Sequence, residues 1–314
     1  MDVWECVSKL ELVVFLKEQW SWIKEFGNSD FTVAFIGSLA GALGGAWAAQ
    51  RIAERAKYKE QLMTEMKLTN AATSVAFGMV SSLLALKAQH ILPIKTEYDK
   101  AKQEFTEAMA SPHKQQKEIV FIADFRALTP PICSIDVLQS YVHGKLMMKS
   151  RPLALIGALA EALEGIKFTN NLRNELIHNF KNNNDEDYKS RQAEVYFGIT
   201  QVDGKRDTRY NDLLNAVYNK TDDAIFFCML LMKDLNEHCT KTKELYEDKF
   251  GKGEIEPDIA TFEKPAKAGL LPDEAKYSDW ITSFQSRPKK LSRLQRFKNW
   301  LITELFKKRS FKLG

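Results

Sequence analysis

With 314 residues, 45% of them hydrophobic and 27% charged, the chain has an ordinary globular composition and room for one large domain or two modest ones. Its apolar residues are concentrated in a few segments, which excludes a multi-pass transporter. A formal net charge of +4 is too small to imply nucleic-acid binding by itself, so the distribution of charge matters more than its sum.

Residues 2–27 read as an amphipathic helix, with Cys6, Leu10, Val13, Leu16, Trp20 and Ile23 recurring at three- and four-residue steps. Trp20, Trp22 and Phe26 cluster at its end. Such rings favour the headgroup level, so residues 1–30 form an amphipathic segment suited to a membrane surface; packing on the soluble domain is the alternative. Gly27-Asn28-Ser29-Asp30 breaks this helix and caps the next.

Phe31 to Ala49, FTVAFIGSLAGALGGAWAA, contains no charge. At ~1.5 Å per residue it is long enough to cross a hydrocarbon core of roughly 30 Å. Acidic Asp2 and Glu5 precede the first lysine, which argues against a cleaved signal peptide, so the segment reads as a retained transmembrane helix. Arg51, Arg55, Lys57 and Lys59 follow it closely. Positive flanks stay cytoplasmic, which places the larger C-terminal part inside, beneath what is by analogy a bacterial inner membrane. Gly37, Gly41 and Gly45 fall every fourth residue on one face. Without side chains there, a second helix can approach closely, and Ser38 offers a polar contact. The pattern therefore points to a homo-oligomer in the membrane.

Residues 50–250 read as a cytosolic helical domain. Its first part, 51–70, is a charged neck. Residues 72–92 are apolar enough for a second membrane pass, but Ser81, Ser82 and Lys87 favour a buried helix of a soluble bundle. Helices are expected over 95–110, 134–149, from Pro152 to about Phe180, and from about Tyr210 to Phe250. Two segments have β-like composition: KEIVFIADF (117–125), and EVYFGITQV (194–202), which reads as a hairpin arm. Residues 251–285, rich in Pro, Gly, Lys and Glu, read as an extended linker. The fold class expected is mainly α, with one transmembrane helix, or two if 72–92 crosses, on a cytosolic bundle.

Residues 286–314 form a basic amphipathic tail. Leu291, Leu294, Phe297, Leu301 and Leu305 make an apolar stripe. Lys289, Lys290, Arg293, Arg296, Lys298, Lys307, Lys308 and Arg309 surround it. This chemistry suits anionic membrane lipids; nucleic-acid phosphate is the rival partner, and a solvated helix is the third reading.

One segment has the residues for catalysis: Asn171-Leu172-Arg173-Asn174-Glu175-Leu176-Ile177-His178-Asn179-Phe180. Cleaving RNA without a metal needs a proton shuttle near neutral pH and a cation for the phosphate. His178 supplies the first and Arg173 the second, while Asn174, one turn before His178, is placed to orient it. The Arg–Asn–x3–His arrangement resembles the HEPN superfamily of helical ribonucleases and toxins. One toxin branch of that family continues with a Tyr where this chain has Phe180. The resemblance implies a site assembled across a dimer and RNA as substrate.

The four cysteines fit no zinc spacing, and no glycine-rich phosphate loop, G-x-S-x-G or H-E-x-x-H occurs, so no cofactor or metal is expected. By analogy with single-span anchors on small helical domains, the chain is expected to be an effector of the toxin or phage-defence type. Two mechanisms remain open: HEPN-like RNA cleavage causing growth arrest, or non-enzymatic disruption of the membrane by an oligomer whose cytosolic domain senses or binds a regulatory protein or nucleic acid. A milder third reading is a membrane scaffold that recruits a partner protein.

Overall fold

The computed structural model describes residues 30–110, 123–148, 150–201 and 204–284. The amphipathic segment 1–29, most of the first β-like segment and the basic tail from Gln285 onward lie outside the described residues. Among those described, the chain is mainly helical and contains no strand. In chain order the elements are α1 (Asp30–Leu86), a π-helical turn (Lys87–Ile91), α2 (Leu92–Ala110), α3 (Ile135–Gln139), a second π-helical turn (Ser140–Lys145), α4 (Arg151–Asn182), α5 (Glu186–Ser190), α6 (Gln192–Phe197), α7 (Arg209–Phe250), α8 (Glu263–Lys267), a 3-10 turn (Glu274–Tyr277) and α9 (Ser278–Ser283).

The chain divides into two compact units, residues 1–66 with 242–255, and residues 67–241 with 256–314. In the first, the α1 side chains described between Ala34 and Lys57 are all exposed, including Phe35, Leu39, Leu43 and Trp47. Further along α1 the neck packs against the end of α7. Tyr58 and Phe250 approach with ring centroids 6.2 Å apart, and Lys249 sits 4.5 Å over the Tyr58 ring. Arg55 donates to the Lys249 carbonyl at 3.2 Å.

The second unit holds two apolar cores. One joins Ala72, Ala76, Met79, Val80, Leu83 and Leu84 of α1 to the π-helical turn after α3, to α4 and to the Ala224–Leu235 stretch of α7. Residues 72–84 thus bury their apolar face against protein, as a core helix of a bundle does. The other core is aromatic: Tyr98, Phe105, Phe180, Tyr196, Phe197 and Tyr210 pack together, Tyr196 and Tyr210 with centroids only 4.5 Å apart.

Pro93 does not stop the helix. In a regular α-helix its ring would clash with the carbonyl four residues earlier, which belongs to Gln89. Gln89 lies in the π-helical turn, whose wider hydrogen bonding accommodates a residue without an N–H. Pro152 sits in the first turn of α4, where a missing N–H costs nothing.

The hairpin expected at 194–202 is corrected. Residues 192–197 form the short helix α6, ended by Gly198 in the left-handed conformation at φ 65°. The β-like composition reflects burial: Val195, Tyr196 and Phe197 face the aromatic core. A Cβ on Gly198 would lie 3.3 Å from the Thr208 backbone. Gly198→Ala is therefore expected to destabilise the bundle by about 1–2 kcal/mol, read as a lower urea midpoint.

Within residues 251–285, read from sequence as an extended linker, the stretch from Glu256 to Phe284 packs on the bundle of its own unit. Asn70 donates to the Glu256 carbonyl at 2.7 Å and Asn236 to the Asp258 carbonyl at 3.0 Å. Tyr277 stacks on Phe226 at 3.8 Å, nearly parallel, and Trp280 packs on Phe227. Its Pro- and Gly-rich composition specifies an irregular strap rather than a free tether.

Candidate functional site

Arg173, Asn174 and His178 all lie on α4. Arg173 and His178 are five positions apart, which places them about 140° apart around the helix. Arg173 is fully buried and His178 is exposed. Within one chain the two do not converge on a common point.

Arg173 instead joins a second task performed by one face of α4. Residues 123–128 run beside it without regular secondary structure, and side chains take up several of their backbone groups. Arg173 donates from Nη1 to the Arg126 carbonyl at 2.9 Å and from Nη2 to the Tyr210 hydroxyl at 3.2 Å. Asn174 pairs with Leu128 twice, accepting from its N–H at 3.1 Å and donating to its carbonyl at 2.8 Å. Asn170 donates to the same carbonyl at 2.6 Å. Positions 170, 173 and 174 share a helix face by their three- and four-residue spacing. Tyr210 donates to the Asp124 carbonyl at 3.1 Å, and the Asp124 N–H donates to the Tyr196 hydroxyl at 3.2 Å. These bonds satisfy backbone groups that no helix or sheet ladder pairs.

The electrostatics follow from burial. Burial pushes the Tyr98 and Tyr196 hydroxyls far up, reinforced by Tyr210, so both stay protonated. Burial also pushes the Asp124 carboxyl upward, but hydrogen bonds from Arg126 and the charges of Arg126 and Arg173 outweigh it, holding Asp124 below its ordinary range. Arg173 Nε and Asn170 Oδ1 are buried without a protein partner, one turn apart.

His178 stands on the solvent face, with the Asn182 amide nitrogen 3.0 and 3.1 Å from its ring nitrogens. Asn174, bonded to Leu128, does not orient it. Gly37, Gly41 and Gly45 lie on the exposed stretch of α1, and a Cβ at any of them would meet nothing within 4 Å. Trp47 and Arg51 stack at its end, 4.6 Å from cation to ring centroid. The basic residues from Lys289 to Arg309 lie outside the described residues.

A different polar cluster escaped the sequence reading. Lys87, 1% exposed, pairs with Asp222 at 2.5 Å, donates to the Leu270 carbonyl at 2.9 Å and points at the Tyr218 ring. Next to it Asp223 accepts from the Tyr277 hydroxyl at 2.9 Å. The signal was present in the sequence: a lone lysine in an apolar helix needs a buried acid, and Asp222 and Asp223 immediately precede the apolar block 225–232.

Among the described residues no group of three His, Cys, Asp or Glu side chains is arranged to hold a metal. No protein-family model, curated protein or solved structure matches this chain.

Proposed function

We propose that this chain is a membrane-anchored effector of the toxin or phage-defence type that acts without cleaving RNA, through self-association of its uncharged helix in the membrane. The observation that carries this reading is the bare stretch of α1. Phe35, Leu39, Leu43 and Trp47 are 51–65% exposed along a helix with no charge from Phe31 to Ala49. Leaving such a surface in water is unfavourable, and lipid or a second copy would cover it. Trp47 stacked beneath Arg51 is the chemistry of a membrane–water boundary, where rings and cations meet headgroups. The bulky ridge at 35, 39, 43 and 47 lies opposite the glycine face, so copies have a smooth side for close approach.

The cytosolic bundle then senses or restrains, with a regulatory protein or nucleic acid as its partner, and the basic tail meets anionic lipid. RNA cleavage is the weaker reading, because the Arg173 guanidinium is committed to Arg126 and Tyr210 inside the core and cannot reach a phosphate beside His178.

The test is membrane potential measured beside RNA integrity in cells expressing the chain. The expected outcome is collapse of the potential while RNA stays intact. Gly41→Leu should abolish the effect at unchanged membrane-fraction abundance, since a bulky side chain in the glycine face prevents close packing. An intact potential in arrested cells, or a full-length chain recovered in the soluble fraction, would overturn the reading.

A further inference from the structure

The strap 256–284 is held to its bundle in an unusual way. No residue in α8, the 3-10 turn or α9 is buried. Its polar anchors include the Asn70 and Asn236 amides on the carbonyls of Glu256 and Asp258, the Asp258 N–H on Asn70 Oδ1, the Ser74 hydroxyl on the Asp258 carboxylate, the Lys87 ammonium on the Leu270 carbonyl, and the Tyr277 hydroxyl on Asp223. Aromatic contacts add to these, Phe262 on Phe77, Tyr277 on Phe226 and Phe227, and Trp280 on Phe227, and the half-buried Ala260, Leu270 and Leu271 pack on the apolar core. Its own backbone hydrogen bonds are short-range, such as Leu270 to Pro265 and Phe284 to Ile281. Segments with little buried apolar surface and local hydrogen bonding open at lower free energy than a core.

The core beneath does not depend on the strap for its charges. Lys87 keeps Asp222 and Tyr218 when the Leu270 carbonyl leaves, and water can replace that one acceptor. The strap also ends where the basic segment begins. Phe284, two positions before residue 286 in the chain, packs on Trp280 with centroids 4.8 Å apart. Opening would lengthen the tether to that segment by on the order of 90 Å at full extension.

We propose that residues 256–284 are a clasp, a strap that opens as a unit while the bundle stays folded and that, when closed, restrains the basic C-terminal segment. The first half stands on the contacts alone; the second rests on the effector reading above.

The experiment is hydrogen exchange on the full-length chain in lipid nanodiscs, paired with growth arrest in cells at matched expression. In the unaltered chain, amides of Gly269, Leu270 and Phe284 are expected to exchange at least tenfold faster than those of 72–84 and 224–235. Tyr277→Ala, which removes both the stack and the Asp223 bond, should raise strap exchange a further tenfold, leave the two helices within twofold, and cause arrest at lower expression. Trp280→Ala should act in the same direction. Strap and helices exchanging together in both variants would overturn the clasp. Faster strap exchange with unchanged arrest would overturn the restraint. No arrest from the unaltered chain at any expression would defeat the effector reading and the restraint with it, while the exchange rates still decide the clasp.

Discussion

Asp222→Leu is expected to cost the bundle about 3–5 kcal/mol, among the largest effects of any single substitution. The lysine it abandons is 1% exposed and has only the Leu270 carbonyl and the face of Tyr218 left to satisfy it. An ammonium in that position must lose its proton, draw in water or break the packing of α1 against α7. Lys87→Met should be similarly harmful, because it strands a carboxylate whose side chain is 10% exposed. Replacing both, Lys87→Met with Asp222→Leu, should recover most of the loss, since two apolar side chains need no partner. Urea unfolding of the four proteins in detergent closes this cycle. A double variant as unstable as the singles would show that the pair holds the bundle through specific geometry rather than through mutual neutralisation.

The second large effect separates the two ends of the Arg–Asn–x3–His segment. Arg173→Met should destabilise the bundle by about 3 kcal/mol, because the Arg126 carbonyl loses its donor and the Tyr210 hydroxyl keeps only its bond to the Asp124 carbonyl. For a domain of this size that lowers Tm by roughly 6–12 °C. His178→Ala, on the solvent face, should change stability by less than about 0.5 kcal/mol and, on the effector function proposed above, leave growth arrest intact. Thermal unfolding and growth assays on both variants decide the matter. A fully folded His178→Ala protein without activity would return His178 to the centre of the mechanism, and a site formed between copies would then have to bring an arginine other than a buried one to it.

Much of the helical layout was legible in the sequence because it rests on local rules. Pro152 opened α4, the period from Tyr210 to Phe250 marked α7, and the polar run near Asn183 ended α4 where expected. Lys87 within the apolar run 72–92 pointed to a helix packed on protein, and Ala72 to Leu84 do lie in the apolar core. The β-like stretch at 194–202 misled because aromatic and β-branched residues serve a buried short helix as well as a strand, and Gly198 was a helix terminator rather than a turn between strands.

What the sequence determined by itself is what depends on residues close together along the chain: an uncharged run long enough to span lipid, glycines every fourth residue, and the helices on either side. Only the tertiary structure decided which face of α4 meets the core, whether the strap docks, and which acid neutralises Lys87. Those outcomes depend on partners 47, 135 and 183 residues away: Arg126 for Arg173, Asp222 for Lys87 and Leu270 for Lys87. The same Arg and His letters can make a phosphate site or a backbone clamp, and burial on one side of the helix chooses between them.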